Sequence, residues 1–149
     1  MALVIENGTG VTGADSFITT AELDTICTNY FSHTETGSAA QKESACRRAF
    51  LYMRSLSWKV DYVWPTFGGT IPEDIKLAQG ILAHFEKETP NGLAPNVTPG
   101  QIKTLIRAGE IGWQANSTSG VAAQRLHVLM ALDLLAEYTN SRTIFLDRA

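Results

Sequence analysis

The chain has 149 residues, 44% of them hydrophobic, enough for one domain with its own core and too many for a disordered tail. Charged residues make up 18%, below the ~25% usual in globular domains, and a net charge of -3 creates no overall demand for nucleic acid. The charge is unevenly placed: Gln41 to Lys59 holds five bases against one acid, Glu43, so this stretch carries +4 and the rest -7.

Residues 1–16 begin with Leu3-Val4-Ile5, a short strand or arm, followed by Gly8-Thr9-Gly10-Val11-Thr12-Gly13. The glycines match G-x-G-x-x-G, but dinucleotide binding needs the third glycine to open a helix inside a βαβ unit. Here the helix signal starts only after Ile18 and no parallel strand follows, so the stretch reads as a flexible, turn-rich arm.

Thr19 and Glu22 form a capping box that starts the first helix, with Ile18 and Leu23 as its hydrophobic staple. Leu23, Ile26, Cys27, Tyr30 and Phe31 then make one apolar stripe. His33 follows as a helix-terminus partner, and Thr34 to Gly37 is a loop. Ser38 and Gln41 form a second capping box. The helix they start has Ala45, Ala49, Tyr52, Met53 and Leu56 inside, and the two alanines allow a close neighbour. Arg47 and Arg54 share its outer stripe with Leu51, and Arg48 lies beside it. Together with Lys59, these arginines form a face that meets DNA phosphates or an acidic neighbour, or else one that pairs with the protein's own acids.

Trp58, Tyr62, Trp64 and Phe67 crowd a short turn, where Pro65 disfavours helix at Trp64 and Gly68-Gly69 loosens the backbone. Such rings either stack on single-stranded bases or plug one end of a small core. A third helix follows Ile71, with Pro72 at its first position, Glu73 and Asp74 in the first turn, and Ile75, Ala78, Leu82 and Phe85 inside. Gly80 costs about 1 kcal/mol against alanine, which points to close packing. His84 sits off the stripe, with no acid or cysteine spaced around it as for a metal site.

Asn91 to Gly100 is a proline-rich loop or linker. From 101 to 116 the pattern fits a helix or two strands, and Gly109 and Gly112 favour a β-hairpin. The last helix runs from about Val121 to Tyr138, apolar over a broad face. The tail 139–149 ends in Ile144-Phe145-Leu146, a candidate docking segment. The fold class is therefore mainly α: a small bundle of about four helices in 17–138, with a short hairpin and extended terminal arms.

Catalytic patterns are missing. His33, His84 and His127 lie in unrelated contexts, and there is no G-x-S-x-G, HExxH, P-loop or EF-hand loop, so no enzyme activity and no cofactor are expected. Cys27 and Cys46 fall on inner helix faces without a CxxC or zinc-like spacing. The N-terminus lacks the basic and apolar regions of a signal peptide, no apolar run suits a membrane span, and the N-x-S/T triplets at Asn7, Asn96 and Asn116 are chance matches.

Several stretches resemble one phage family: Ala2-Leu3-Val4-Ile5-Glu6-Asn7-Gly8-Thr9-Gly10 with Gly13-Ala14-Asp15-Ser16-Phe17, Arg48-Ala49 ahead of Trp58-Lys59, Trp64-Pro65, Ile71-Pro72 with Ile75-Lys76-Leu77-Ala78, and the late leucine-rich helix. Their order over residues 2–138 is similar to that of tailed-phage head-to-tail adaptors, a group often labelled DnaT-like single-stranded-DNA-binding protein. The family commonly has Pro-Arg after the tryptophan, whereas here Thr66 follows Pro65.

The resemblance implies a virion subunit, made in the bacterial host cytoplasm, that forms a twelve-fold ring beneath the portal protein. The ring would extend the channel for the packaged double-stranded DNA and present a surface to the next neck or tail-completion protein. Arg47, Arg48, Arg54 and Lys59 are the candidate channel- or partner-facing bases, and Ile144, Phe145 and Leu146 the candidate docking tail. The rival expectation is a single-stranded-DNA binder that uses those arginines with the Trp58–Trp64 aromatics.

Overall fold

Helix α3 (Glu73–Glu88) is the element on which the others pack. The computed structural model describes residues 2–93, 103–107, 112–115 and 128–140. Before α3 come α1 (Thr20–Phe31) and α2 (Ala39–Arg54); after it come β1 (Lys103–Arg107), β2 (Gly112–Ala115) and α4 (Leu129–Leu135). The architecture is the mainly α small bundle expected. Helices α1, α2 and α4 each contact α3, and α1 also contacts α2.

Both capping boxes form. Thr19 accepts from the Glu22 amide while Glu22 Oε2 accepts from the Thr19 amide, and Ser38 and Gln41 repeat the arrangement. Ile18 and Leu23 are fully buried, as a staple requires. His33 Nδ1 lies 3.1 Å from the carbonyl of Phe31, the last residue of α1, which makes it the terminus partner expected.

On α2, Ala45, Ala49 and Met53 are buried as the stripe requires, with Cys46 and Phe50 beside them. On α3, Ile75, Ala78 and Leu82 are buried, but so are Gln79, Gly80, Ile81, Ala83 and Glu86. A single stripe does not account for that spread; three packed neighbours do. Pro72 stands at the N-cap, one place earlier than expected. Gly80 is where α1 crosses: a Cβ built there would meet Ile26 Cδ1 at 2.5 Å. The missing side chain is what lets the two helices approach.

The N-terminal stretch folds onto its own chain. Ile5 bridges Ser16, the Glu6 amide donates to the Ser16 carbonyl at 2.8 Å, and the Asp15 amide donates to the Val4 carbonyl at 2.9 Å. Gln79 of α3 holds the end of this loop. Its Oε1 accepts from the Phe17 amide at 2.8 Å, and its Nε2 donates to Ser16 Oγ at 2.9 Å and to the Cys46 carbonyl at 3.0 Å. One buried amide thus ties the N-terminal stretch, α2 and α3 together.

Strands β1 and β2 pair antiparallel, Lys103 with Ala115 and Leu105 with Trp113, with an irregularity between Leu105 and Arg107. This is the hairpin alternative for 101–116; Ile102, Gly109 and Ile111 lie outside the described residues. Helix α4 falls inside the expected 121–138 helix, whose first part, through His127, lies outside the described residues. So does the tail 141–149 with Ile144, Phe145 and Leu146. Ahead of it, Thr139 bridges Trp58, and the Lys59 amide donates to the Tyr138 carbonyl at 3.0 Å.

Candidate nucleic-acid and protein interfaces

The four candidate bases all lie on α2 or just after it, and three of them are engaged within the chain. Arg47 Nε donates to Asp15 Oδ2 at 2.6 Å, its Nη1 lies 3.6 Å from Glu43 Oε2, and its Nη2 donates to the Ala2 carbonyl. The hydrogen bond to Asp15, with the charges of Asp15 and Glu43, outweighs partial burial and raises its pKa further. Arg48 Nε lies 2.7 Å from Glu86 Oε1, a carboxylate that is only 3% exposed. Lys59 Nζ donates to the Glu137 carbonyl. Arg54, in the last turn of α2, is exposed and has no partner among the described residues. Most of the basic stretch therefore serves as internal clamps, to the N-terminal loop, to α3 and to the segment after α4.

The aromatic turn is likewise turned inward. Trp58 and Trp64 sit 4.9 Å apart, Trp64 meets Phe17 edge-on at 5.0 Å, and Phe67 packs against both Trp58 and Phe17. Phe50 joins at 4.9 Å from Phe17, and Trp58 Nε1 donates to the Met53 carbonyl. Tyr62 leans on Tyr138 at 4.9 Å. The cluster closes one end of the core, and its half-buried rings pack on one another, which leaves less ring surface for base stacking. Phe17 at its centre and Phe50 beside it are absent from the sequence-level cluster, because they are 41 and 8 residues from Trp58 and only packing brings them there.

The glycine loop is also filled from within. Glu6, 1% exposed, accepts from the amides of Gly8 at 2.8 Å and Gly10 at 2.9 Å through Oε1, and from Val11 at 2.8 Å through Oε2. Amides that would cradle a phosphate in a nucleotide site hold the chain's own carboxylate. Gly8, at φ 102, also lies against the Gly69–Thr70 backbone with no space for a side chain.

Part of the surface left bare is apolar. Helices α1 and α4 both pack on α3, and no contact between them occurs among the described residues. Between them runs an open groove of about 420 Å³, floored by Leu77 and Ile81 of α3 and walled by Tyr30, Met130, Asp133 and Leu134. Tyr30 is 59% exposed, Met130 54% and Leu129 68%. Leu51, Val60 and Val63 are also exposed, around the far end of α2. No helix among the described residues is long and apolar enough to cross a membrane.

One expectation needs correction. Sequence spacing places no acid or cysteine near His84, yet the fold brings Glu35 Oε2 to 2.7 Å from His84 Nδ1 and Cys27 Sγ to 3.5 Å from the same oxygen. The three residues come from α3, the loop after α1, and α1 itself, and no local pattern could have joined them.

A family described as "Putative DnaT-like ssDNA binding protein" matches residues 1–149. The chain belongs to this family. No curated protein and no solved structure matches it. The family description corresponds to the rival expectation, single-stranded-DNA binding, and lends the head-to-tail adaptor reading no specific support. Within this DnaT-like chain the residues that would grip a single strand are those just described: Arg47, Arg48 and Lys59 engaged internally, Arg54 exposed, and the aromatics packed on the core.

Proposed function

We propose that the chain is an assembly subunit, gripped by copies of itself and by neighbouring proteins. In its specific form, which rests on the resemblance, it is a head-to-tail adaptor in the neck of a tailed phage. It joins a twelve-fold ring beneath the portal protein, extends the channel for packaged DNA, and offers a surface to the next neck or tail-completion protein. Chemical turnover and a cofactor have no part in this role.

The observation that carries the reading is the α1–α4 groove, with the largely exposed Tyr30 and Met130 in its walls. Isolated apolar side chains at a surface are ordinary, but several around one concave strip suit burial by another subunit. A second copy is the occupant that a ring calls for, since a heterologous contact sets one patch against a different patch on the next subunit.

Size-exclusion chromatography with the portal protein of the same phage tests the proposal. Wild-type chain should co-migrate with portal rings as a full ring of copies, and a Tyr30→Glu, Met130→Glu double variant that keeps its helical circular dichroism should add few or no copies to the portal. Co-migration of that variant at wild-type level would rule out the groove.

The second reading, single-stranded-DNA binding, is favoured by the family match over the adaptor. It would rely on Arg54, on the exposed edges of the aromatic turn, and on whatever internal pairs open in the presence of phosphate. Such binding should weaken steeply as salt rises.

A further inference from the structure

We infer that Cys27, Glu35 and His84 form a binding site for a divalent transition metal of the zinc class, which ties the loop after α1 to the bundle. The assembly reading does not use this cluster, and the inference stands apart from it. Its donor set is a thiol, a carboxylate and an imidazole, and the three ligating atoms lie within 4.8 Å of one another. Those are the donor types that zinc takes from proteins.

The sulfur–oxygen distance already suits the ion. With zinc–sulfur near ~2.3 Å and zinc–oxygen or zinc–nitrogen near ~2.0–2.1 Å, a tetrahedral site separates sulfur from oxygen by about 3.5 Å and nitrogen from oxygen by about 3.3 Å. Cys27 Sγ lies 3.5 Å from Glu35 Oε2, and His84 Nδ1 lies 2.7 Å from it. His84 Nδ1 and Glu35 Oε2 need to move apart by about 0.6 Å, from a hydrogen bond to a shared metal.

Burial is the independent observation. The Glu35 side chain is fully buried although it comes from a loop, and its Oε1 has no hydrogen-bond partner. The charge nearest to Oε1 is Lys87 Nζ at 3.7 Å, beyond hydrogen-bond distance. That oxygen is the one buried side-chain polar atom among the described residues left without a hydrogen-bond partner, so the carboxylate is incompletely satisfied. A metal on Oε2 places a dication beside that buried carboxylate, with Lys87 near Oε1 as an outer partner. Cys27 ligates as a thiolate, so its thiol proton has to leave. Binding expels that proton to solvent as the sulfur–metal bond forms, and the proton on His84 Nδ1 passes to Nε2 through solvent. The dication is then balanced by one thiolate and one carboxylate.

His33, His84 and Glu88 form a second, more exposed group that shares His84. Cobalt(II) separates the two, because a thiolate ligand produces an intense near-ultraviolet charge-transfer band that imidazole and carboxylate do not. Full-length chain, freed of metal by chelator, is titrated with cobalt(II). The band should rise and saturate at one equivalent. It should vanish in Cys27→Ser, weaken about tenfold or more in affinity in Glu35→Gln and His84→Gln, and survive in His33→Asn. A folded wild-type chain that shows no such band at saturating cobalt overturns the proposal, however the variants fold. A band that persists in Cys27→Ser, or disappears in His33→Asn, overturns it too.

Discussion

Arg48 Nε sits 2.7 Å from Glu86 Oε1, and this contact joins an arginine 39% exposed to a carboxylate 3% exposed. Glu86 also accepts from the Asn91 amide at 2.7 Å and the Leu93 amide at 3.0 Å, so it caps the turn after α3 while holding α2 through Arg48. An arginine that the sequence offers for phosphate is thereby committed to holding the fold.

Removing it should show. Arg48→Ala leaves a buried carboxylate with its amide partners alone, and a loss of about 1–3 kcal/mol follows from the cost of an uncompensated buried charge, moderated by the solvent that reaches Arg48. Arg54→Ala should change stability by less than about 0.5 kcal/mol. Urea denaturation of the two variants checks this, and equal losses would remove the distinction drawn between them.

Gln79 makes a stronger demand. Gln79→Leu keeps the volume but strips the Phe17 amide and the Cys46 carbonyl of their partner in a fully buried place. A loss of about 2–4 kcal/mol is expected. Amide exchange at Phe17 should accelerate along with the global transition. A thermal melt unchanged from wild type would show that the N-terminal stretch is not held as described.

Glu6 governs the glycine loop. In Glu6→Ala the amides of Gly8, Gly10 and Val11 lose their acceptor. Hydrogen exchange at those amides should rise by at least an order of magnitude, while that at the α3 amides changes little. Uniform acceleration across α3 would mean that the loop and the bundle open together.

Acid stability should depend on Glu35. Burial alone would raise its pKa, but hydrogen bonds from His84 and Cys27 and the charges of His84 and Lys87 outweigh burial and hold it below the ordinary 4.5. The unfolded chain therefore binds this proton more readily than the folded one. The contribution is fully present above pH 4.5 and is lost as pH falls through the lower, folded-state value. Glu35→Gln should be less stable at neutral pH and show a shallower loss between about pH 5 and pH 3. Parallel acid titrations followed by circular dichroism check this, and superimposable acid limbs would contradict it.

Local signals were legible and distant pairings were not. Thr19 with Glu22 and Ser38 with Gln41 announce helix starts within four residues, and Gly80 points to a close crossing because a mid-helix glycine costs stability that close packing can offset. Arg47 with Asp15 is a different matter: the partners are 32 residues apart, and nothing in either segment's composition joins them. The same distance problem hid Cys27, Glu35 and His84, where three elements must pack before the donors meet. It also hid the wide burial of α3, since periodicity reports one inner face and this helix has neighbours on three sides. Whether the basic and aromatic stretch faced DNA or its own core was undecidable from spacing, since either use suits the same residues.

The most direct measurement is a fluorescence anisotropy titration of a labelled single-stranded oligonucleotide with the folded chain at moderate salt. If Arg47, Arg48, Lys59 and the aromatic turn are committed to the fold, no saturable binding should occur, and Arg54→Ala should change nothing. Saturable binding that falls steeply with salt and is weakened by Arg54→Ala would contradict the account and establish the single-stranded-DNA reading in its place.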